Sequence, residues 1–106
     1  MSNILILNTL NDLININSSN IIIVKVGAEW CKPCNEINTL YTLYANNNKN
    51  NNLLFTSINI PDADDELLDF IDVKTLPTFL IYENKQLKNK MVGIDKIELA
   101  KYINNL

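Results

Sequence analysis

Cys31 and Cys34 stand in the run Trp30-Cys31-Lys32-Pro33-Cys34; they are the only two thiols in a chain that contains no histidine. A Cys-x-x-Cys pair can bind a soft metal, or it can carry electrons by closing and opening a disulfide. Two sulfur ligands fall short of a four-ligand zinc site, and no imidazole or further thiolate is present to complete one. The missing histidine also excludes a Cys–His dyad and a Ser–His–Asp triad. Dithiol redox chemistry remains, set against the plainer reading that both cysteines are small buried hydrophobes.

The redox reading depends on what positions the pair. Ile21–Val26 is β-branched almost throughout, as expected of a central strand covered on both faces. After Ala28–Cys34, the residues Ile37, Leu40, Tyr41, Leu43 and Tyr44 recur at helical spacing. Cys31 therefore falls at a helix N-terminus, where unpaired backbone N–H groups and the helix dipole favour a thiolate. Cys34 lies three residues on, one turn around the same face, within reach of a disulfide. Pro33 is tolerated because first-turn N–H groups have no helical partner to lose, and Lys32 adds a positive charge. These features favour ionisation of Cys31 and spare Cys34, which should lie deeper.

The remaining elements fit one domain, residues 1–106, long enough to bury a single core. Asn3–Leu7 is a short strand candidate. Asn8 or Thr9 can cap a helix through about Ile16, with Leu10, Leu13 and Ile14 on one face. Ser18–Asn20 reads as a turn, and the asparagine-rich stretch around Lys49 as a solvated loop. Leu53–Ile60 is a second buried strand, broken by Pro61. Asp62, Asp64, Asp65 and Glu66 then place acids at the start of a helix burying Leu67, Leu68, Phe70 and Ile71. Thr78–Tyr82 and Leu87–Val92 read as two strands around a turn at Glu83–Lys85. Gly93 ends the second, and a last helix opening near Asp95 carries Ile97, Leu99, Ala100, Tyr102 and Ile103. The order β-α-β-α-β-α-β-β-α predicts an α/β fold: a mixed sheet flanked by helices, with right-handed parallel crossovers and an antiparallel hairpin at one edge.

Composition narrows the function classes. The hydrophobic fraction of 47% and charged fraction of 20% are those of an ordinary globular protein. The net charge is -3 and the nine basic residues are scattered, which argues against a nucleic-acid partner. Ile4–Leu7 and Ile21–Val24 are far too short to span a bilayer, so no membrane partner is expected. The N-terminus lacks the basic stretch of a secretory signal, so a cytoplasmic, reducing location is expected; a monomer is expected as well. With Gly27 and Gly93 the only glycines, there is neither a dinucleotide-binding fingerprint nor a P-loop. Electrons must then come from another protein.

A second signal lies far from the cysteines. Thr75-Leu76-Pro77-Thr78 puts a proline directly before an apolar strand. The bond is either a cis X-Pro in a tight turn or a trans proline at a strand's first residue, and the sequence alone does not choose.

Taken together, Trp-Cys-x-Pro-Cys after an Ile/Val-rich strand, a Leu-Pro-Thr turn before a hairpin, and then Val92-Gly93 resemble the thioredoxin family over essentially the whole chain. The resemblance implies a thioredoxin fold and disulfide exchange with no cofactor beyond a redox-active Cys31–Cys34 disulfide. Cys31 would be the exposed nucleophile and Cys34 the resolving thiol. Pro77 would be a cis-proline facing the pair, with the Leu76 backbone open to an extended substrate segment. Trp30, Ile60, Val73, Leu76, Gly93 and Ile94 would form an apolar patch around the sulfurs, although ordinary core is the better reading for Val73. Partners would be disulfide-containing proteins and a thioredoxin-reductase-like donor. A more oxidising oxidase or isomerase, and a binding or assembly subunit with incidental cysteines, are the competing functions.

The chain departs from the family in several places. Lys25 stands where the family usually carries a buried aspartate, and Ser57 where a lysine typically lies near it. A cation there would favour thiolates if charged, or accept a proton if desolvated; alternatively it snorkels to solvent. Thr39 replaces a helix-kinking proline, Lys32 a glycine, and Gly27 a tryptophan. The last change should leave one face of the site less packed.

Overall fold

The computed structural model describes residues 3–16 and 20–106, so most of the expected Ser18–Asn20 turn lies outside the described residues. The elements are β1 (Leu5–Ile6), α1 (Leu10–Ile14), β2 (Ile21–Gly27), α2 (Lys32–Asn47), β3 (Leu53–Asn59), a 3-10 turn (Ile60–Asp62), α3 (Asp65–Ile71), β4 (Thr78–Glu83), β5 (Gln86–Val92) and α4 (Lys96–Asn104). The five strands form one sheet in the order β1-β3-β2-β4-β5. β3 pairs in parallel with β1 and β2, whereas β4 pairs antiparallel with β2 and β5. The mixed sheet and the element order match the expectation.

Alternation along the strands sorts the core into two layers. Ile22, Val24, Val26, Ile58 and Leu80 pack with Leu13 of α1 and with Leu67 and Ile71 of α3. On the other face, Ile23, Phe55, Phe79 and Ile81 pack with Ile37, Tyr41 and Ala45 of α2 and with Leu99 and Ile103 of α4. Tyr41 centres this second layer, its ring 5.4 Å from Phe55 and 5.6 Å from Phe79. Its hydroxyl donates to the Thr56 carbonyl (2.6 Å) and also lies 3.2 Å from that of Ile23, which ties α2 to both β2 and β3. Burial pushes that phenol far above its ordinary range.

Local signals set the boundaries. Thr9 and Asp12 form a capping box, and the Asn8 and Thr9 amides hold the Asp12 carboxyl below its ordinary value. Asp64 and Asp95 cap α3 and α4 through the amides of Leu67 and Glu98. Asn84 and Lys85 both take positive φ in the two-residue turn of the β4–β5 hairpin. Lys85 and Lys90 each donate at 2.7 Å to carbonyls closing α1 and α3, at Ile14 and Asp72.

Several expectations need correction. β1 is only Leu5–Ile6, and β3 stops at Asn59 because Pro61 sits inside the 3-10 turn. α2 runs unbroken past Thr39, as the absence of a kinking proline there implies, but it also takes in Asn46 and Asn47, so the loop begins only at Asn48. That loop is held by its own side chains: Asn48 Nδ2 donates to the Leu53 carbonyl (2.9 Å), and Asn48 and Asn50 each accept from the amide two residues on. Phe70 (52% exposed), Ile97 (67%), Ile14 and Leu43 face outward, because each helix turns only a narrow stripe to the sheet.

Candidate active site

The sheet brings the predicted residues to one end. Gly27 closes β2 beside Asn59 of β3, Val26 pairs with Thr78 at the start of β4, and Thr78 pairs with Val92 at the end of β5. The segments holding Cys31, Ile60, Pro77 and Gly93 therefore converge although they are far apart in sequence.

Cys31 is the N-cap of α2, in extended conformation, and its Sγ accepts from the Cys34 backbone N–H at 3.2 Å. Pro33 lies in the first turn, where its missing N–H costs nothing. Cys31 and Cys34 form a disulfide with Cα atoms 5.2 Å apart. Cys34 is 1% exposed and Cys31 9%. The expected order of depth holds, but Cys31 is not an exposed residue: it packs with Ala28 and Cys34 beneath Ile60 and Leu76.

The Leu76–Pro77 bond is cis, and Pro77 is buried. Trp30 is 70% exposed immediately beside the pair. Gly93 takes φ +67, a conformation glycine adopts freely, as β5 turns towards α4. Ile94 is half-buried against the α2/α4 layer, and Val73 against the α1/α3 layer, so Val73 belongs to the core and not to the sulfur cluster. A groove of about 690 Å³ runs from Pro33 past Leu76, Pro77, Gly93 and Ile94 to Ile97. Glu36, Ile37, Asp95 and Lys96 complete its walls, and the sequence did not single them out as site residues. The available signals were helical: Glu36 and Ile37 sit one turn past Lys32 and Pro33, and Asp95 caps α4 directly after Ile94.

Gly27 is packed differently from expectation. A Cβ on this residue would lie 3.2 Å from Cys34 Sγ and 3.3 Å from Cys34 Cβ. The face is filled by the cysteine itself, which approaches the bare Cα. Two residues back, Lys25 is only 7% exposed, with Nζ donating to Asn38 Oδ1 at 3.0 Å. Ser57 is its partner on β3, as the pairing of those positions implied. Desolvation lowers the Lys25 pKa from its ordinary value. Lys32, by contrast, is exposed at the rim. Among the described residues, no cluster of three or more His, Cys, Asp or Glu could hold a metal ion.

The Thioredoxin family model matches residues 5–105. A thioredoxin of Ophiophagus hannah is 32% identical over 85 residues, covering 80% of this chain and 78% of that protein. A thioredoxin of Coprinus comatus is 28% identical over 87 residues, covering 82% of this chain and 81% of that protein. Among solved structures, Plasmodium falciparum thioredoxin superposes with a TM-score of 0.85 at 22% identity, over 96% of this chain and 98% of the other.

Two outcomes follow from this packing. Gly27→Ala crowds a sulfur that the disulfide ties to Cys31, whereas a free Cys34 thiol can rotate away. The substitution lowers the Tm of the oxidised protein by about 4–8 °C, the effect of roughly 1 kcal/mol of overpacking. It lowers that of the dithiol form by less, and equal losses in thermal melts of the two forms would contradict the packing. For Lys25, the folded pKa lies below the unfolded value, so between the two the unfolded chain binds the extra proton. Burial of the cation therefore opposes folding at neutral pH, and the opposition fades as pH rises through the folded pKa towards 10.5. Oxidised Lys25→Met should melt above the parent protein at pH 7, by a margin that narrows by about pH 10.

Proposed function

Since the chain belongs to the thioredoxin family it is a thiol–disulfide oxidoreductase, and we propose that it reduces disulfides of client proteins with Cys31 as nucleophile and Cys34 as resolving thiol. The observation that carries this reading is Cys31 at the N-cap of α2, disulfide-linked to a deeper Cys34 and bordered by exposed Trp30 and the Leu76–Pro77 turn.

In the dithiol form, the free N–H groups of the first turn and the helix dipole stabilise a thiolate at Cys31. That thiolate attacks one sulfur of the substrate disulfide, expelling the other as a thiolate and leaving a mixed disulfide. Cys34 then gives up its proton and attacks Cys31 Sγ. The Cys31–substrate bond breaks, the second substrate sulfur leaves, and the Cys31–Cys34 disulfide forms. Two electrons have passed to the substrate, whose sulfurs take up two protons. Trp30, Ile60, Leu76, Pro77, Gly93 and Ile94 receive the client segment, with the Leu76 backbone offering strand-type hydrogen bonds. Lys32 and Pro33 shape the rim and the first turn.

The electron donor is another protein, a thioredoxin-reductase-like enzyme, and the chain works as a monomer in a reducing cytoplasm. Among the described residues, no helix is long and apolar enough to cross a membrane.

Insulin reduction driven by dithiothreitol tests the assignment. Cys31→Ser should fall to the uncatalysed background, a loss of at least about 10²-fold. Cys34→Ser should accumulate a mixed disulfide visible by non-reducing electrophoresis and mass spectrometry. Undiminished turnover in both variants would make the cysteines incidental and favour a binding role.

A further inference from the structure

The exchange between Cys31 and Cys34 leaves Lys25 without a role, yet a lysine is seldom buried without an anion beside it. Among the described residues its Nζ forms no ion pair; its hydrogen bond goes to the neutral amide of Asn38. Three contacts fix where the charge lies. Gly27 abuts Cys34, Lys25 reaches Asn38, and the Ile23 carbonyl meets Tyr41, so alternate residues of β2 face successive turns of α2. One strand repeat separates Lys25 from Gly27, about 6.6 Å, and one helical turn separates Asn38 from Cys34, about 6 Å. The ammonium thus sits one turn behind the deeper sulfur, on the side away from Trp30.

The surroundings suit a cation awaiting a counter-charge. Across the strands Lys25 is flanked by Ser57 and Phe79, neither of which is charged. A small chamber of about 150 Å³ lined by Lys25, Gly27, Ser57, Asn35, Asn38 and Asn59 opens behind the site. Its one carboxylate, Glu29, is exposed and takes a 3.3 Å hydrogen bond from Asn59. Tyr41, the remaining titratable group facing β2 here, is held by backbone carbonyls.

We infer that Lys25 is a positioning residue whose ammonium, anchored by Asn38, stabilises the thiolate of Cys34 and biases the cysteine pair towards its reduced form. The inference rests on Cys31–Cys34 being the exchanging pair. Reduction by two glutathione molecules breaks the Cys31–Cys34 bond and forms glutathione disulfide, and the two thiol protons pass to the protein sulfurs or to solvent. A cation behind Cys34 favours solvent for the second proton, so the reduced form gains a paired thiolate. The oxidised form has no charge to offer the lysine. The protein is consequently a weaker reductant than the same fold with a neutral residue at position 25.

The test is the equilibrium constant with a glutathione redox buffer, measured from neutral pH upward through the titration of Cys34, for the parent, Lys25→Met and Lys25→Asp. Where Cys34 is fully ionised, Lys25→Met shifts the constant about tenfold towards the disulfide, equivalent to a potential about 30 mV lower. The shift shrinks as pH falls and Cys34 becomes protonated in both proteins, and Lys25→Asp moves the constant further in the same direction. In a Cys31→Ser background, the thiolate absorbance of Cys34 should titrate about one pH unit higher when Lys25→Met is added than with the native lysine, a readout that lost packing alone would not move. Circular dichroism of each oxidised variant establishes that it is folded, and Lys25→Met, which replaces one long stem by another, keeps the test independent of the harsher Asp change. Unchanged equilibrium constants and an unmoved Cys34 titration would overturn the inference while leaving the exchange reaction standing. Failure of the parent protein to equilibrate with glutathione through Cys31–Cys34 would overturn both.

Discussion

The approach of α2 to β2, with Cys34 seated against the bare Cα of Gly27, is the constraint on which the site depends. A Cβ at residue 27 would meet Cys34 Sγ at 3.2 Å, so the sulfur sits in closer contact with the strand than a larger residue there would allow without adjustment. The first turn of α2 settles onto the end of the strand, and the N-cap position falls to Cys31. The same approach brings Lys25 under Asn38 and Tyr41 under the carbonyls of Ile23 and Thr56. One packing arrangement therefore sets the depth of the Cys34 sulfur, the surroundings of Cys31 and the location of the buried Lys25 ammonium.

The sheet supplies the rest by topology. Parallel pairing ends β2 and β3 on the same side, and the antiparallel partner β4 begins there. Loops from distant parts of the chain thus surround the disulfide on a rigid base, with α2 and α4 covering one face and α1 and α3 the other. Residues that line the groove are held by elements whose cores lie elsewhere. This lets Trp30 and Ile97 stay exposed without cost to the fold's interior.

Most of this was legible in the residues because the signals were local and mutually consistent. The β-branched run of β2, the capping residues Thr9, Asp64 and Asp95, and the Asn84-Lys85 turn each act over a few positions. The Cys-x-x-Cys spacing at a strand-to-helix junction likewise gave the disulfide pair. What escaped was tertiary. Helical spacing marks Ile97, Phe70 and Leu43 as apolar but does not say how wide a stripe the sheet will cover. The cis bond at Leu76–Pro77 could not be chosen from a proline before a strand. Gly27 looked like lost packing, because nothing in a linear sequence shows that a cysteine seven positions later occupies the space. Asn38 carried no signal of its own: it matters because the buried Lys25 reaches it.

The central claim is that Cys31, at the tip of α2, is ionised near neutral pH once the disulfide opens. The pH dependence of iodoacetamide alkylation of the reduced protein, with the modified residue identified by mass spectrometry, tests this directly. The rate at Cys31 should rise through an inflection well below the value of about 8.5 of an ordinary thiol, with Cys34 alkylated far more slowly. An inflection at the ordinary value, or equal reactivity of the two sulfurs, would contradict it.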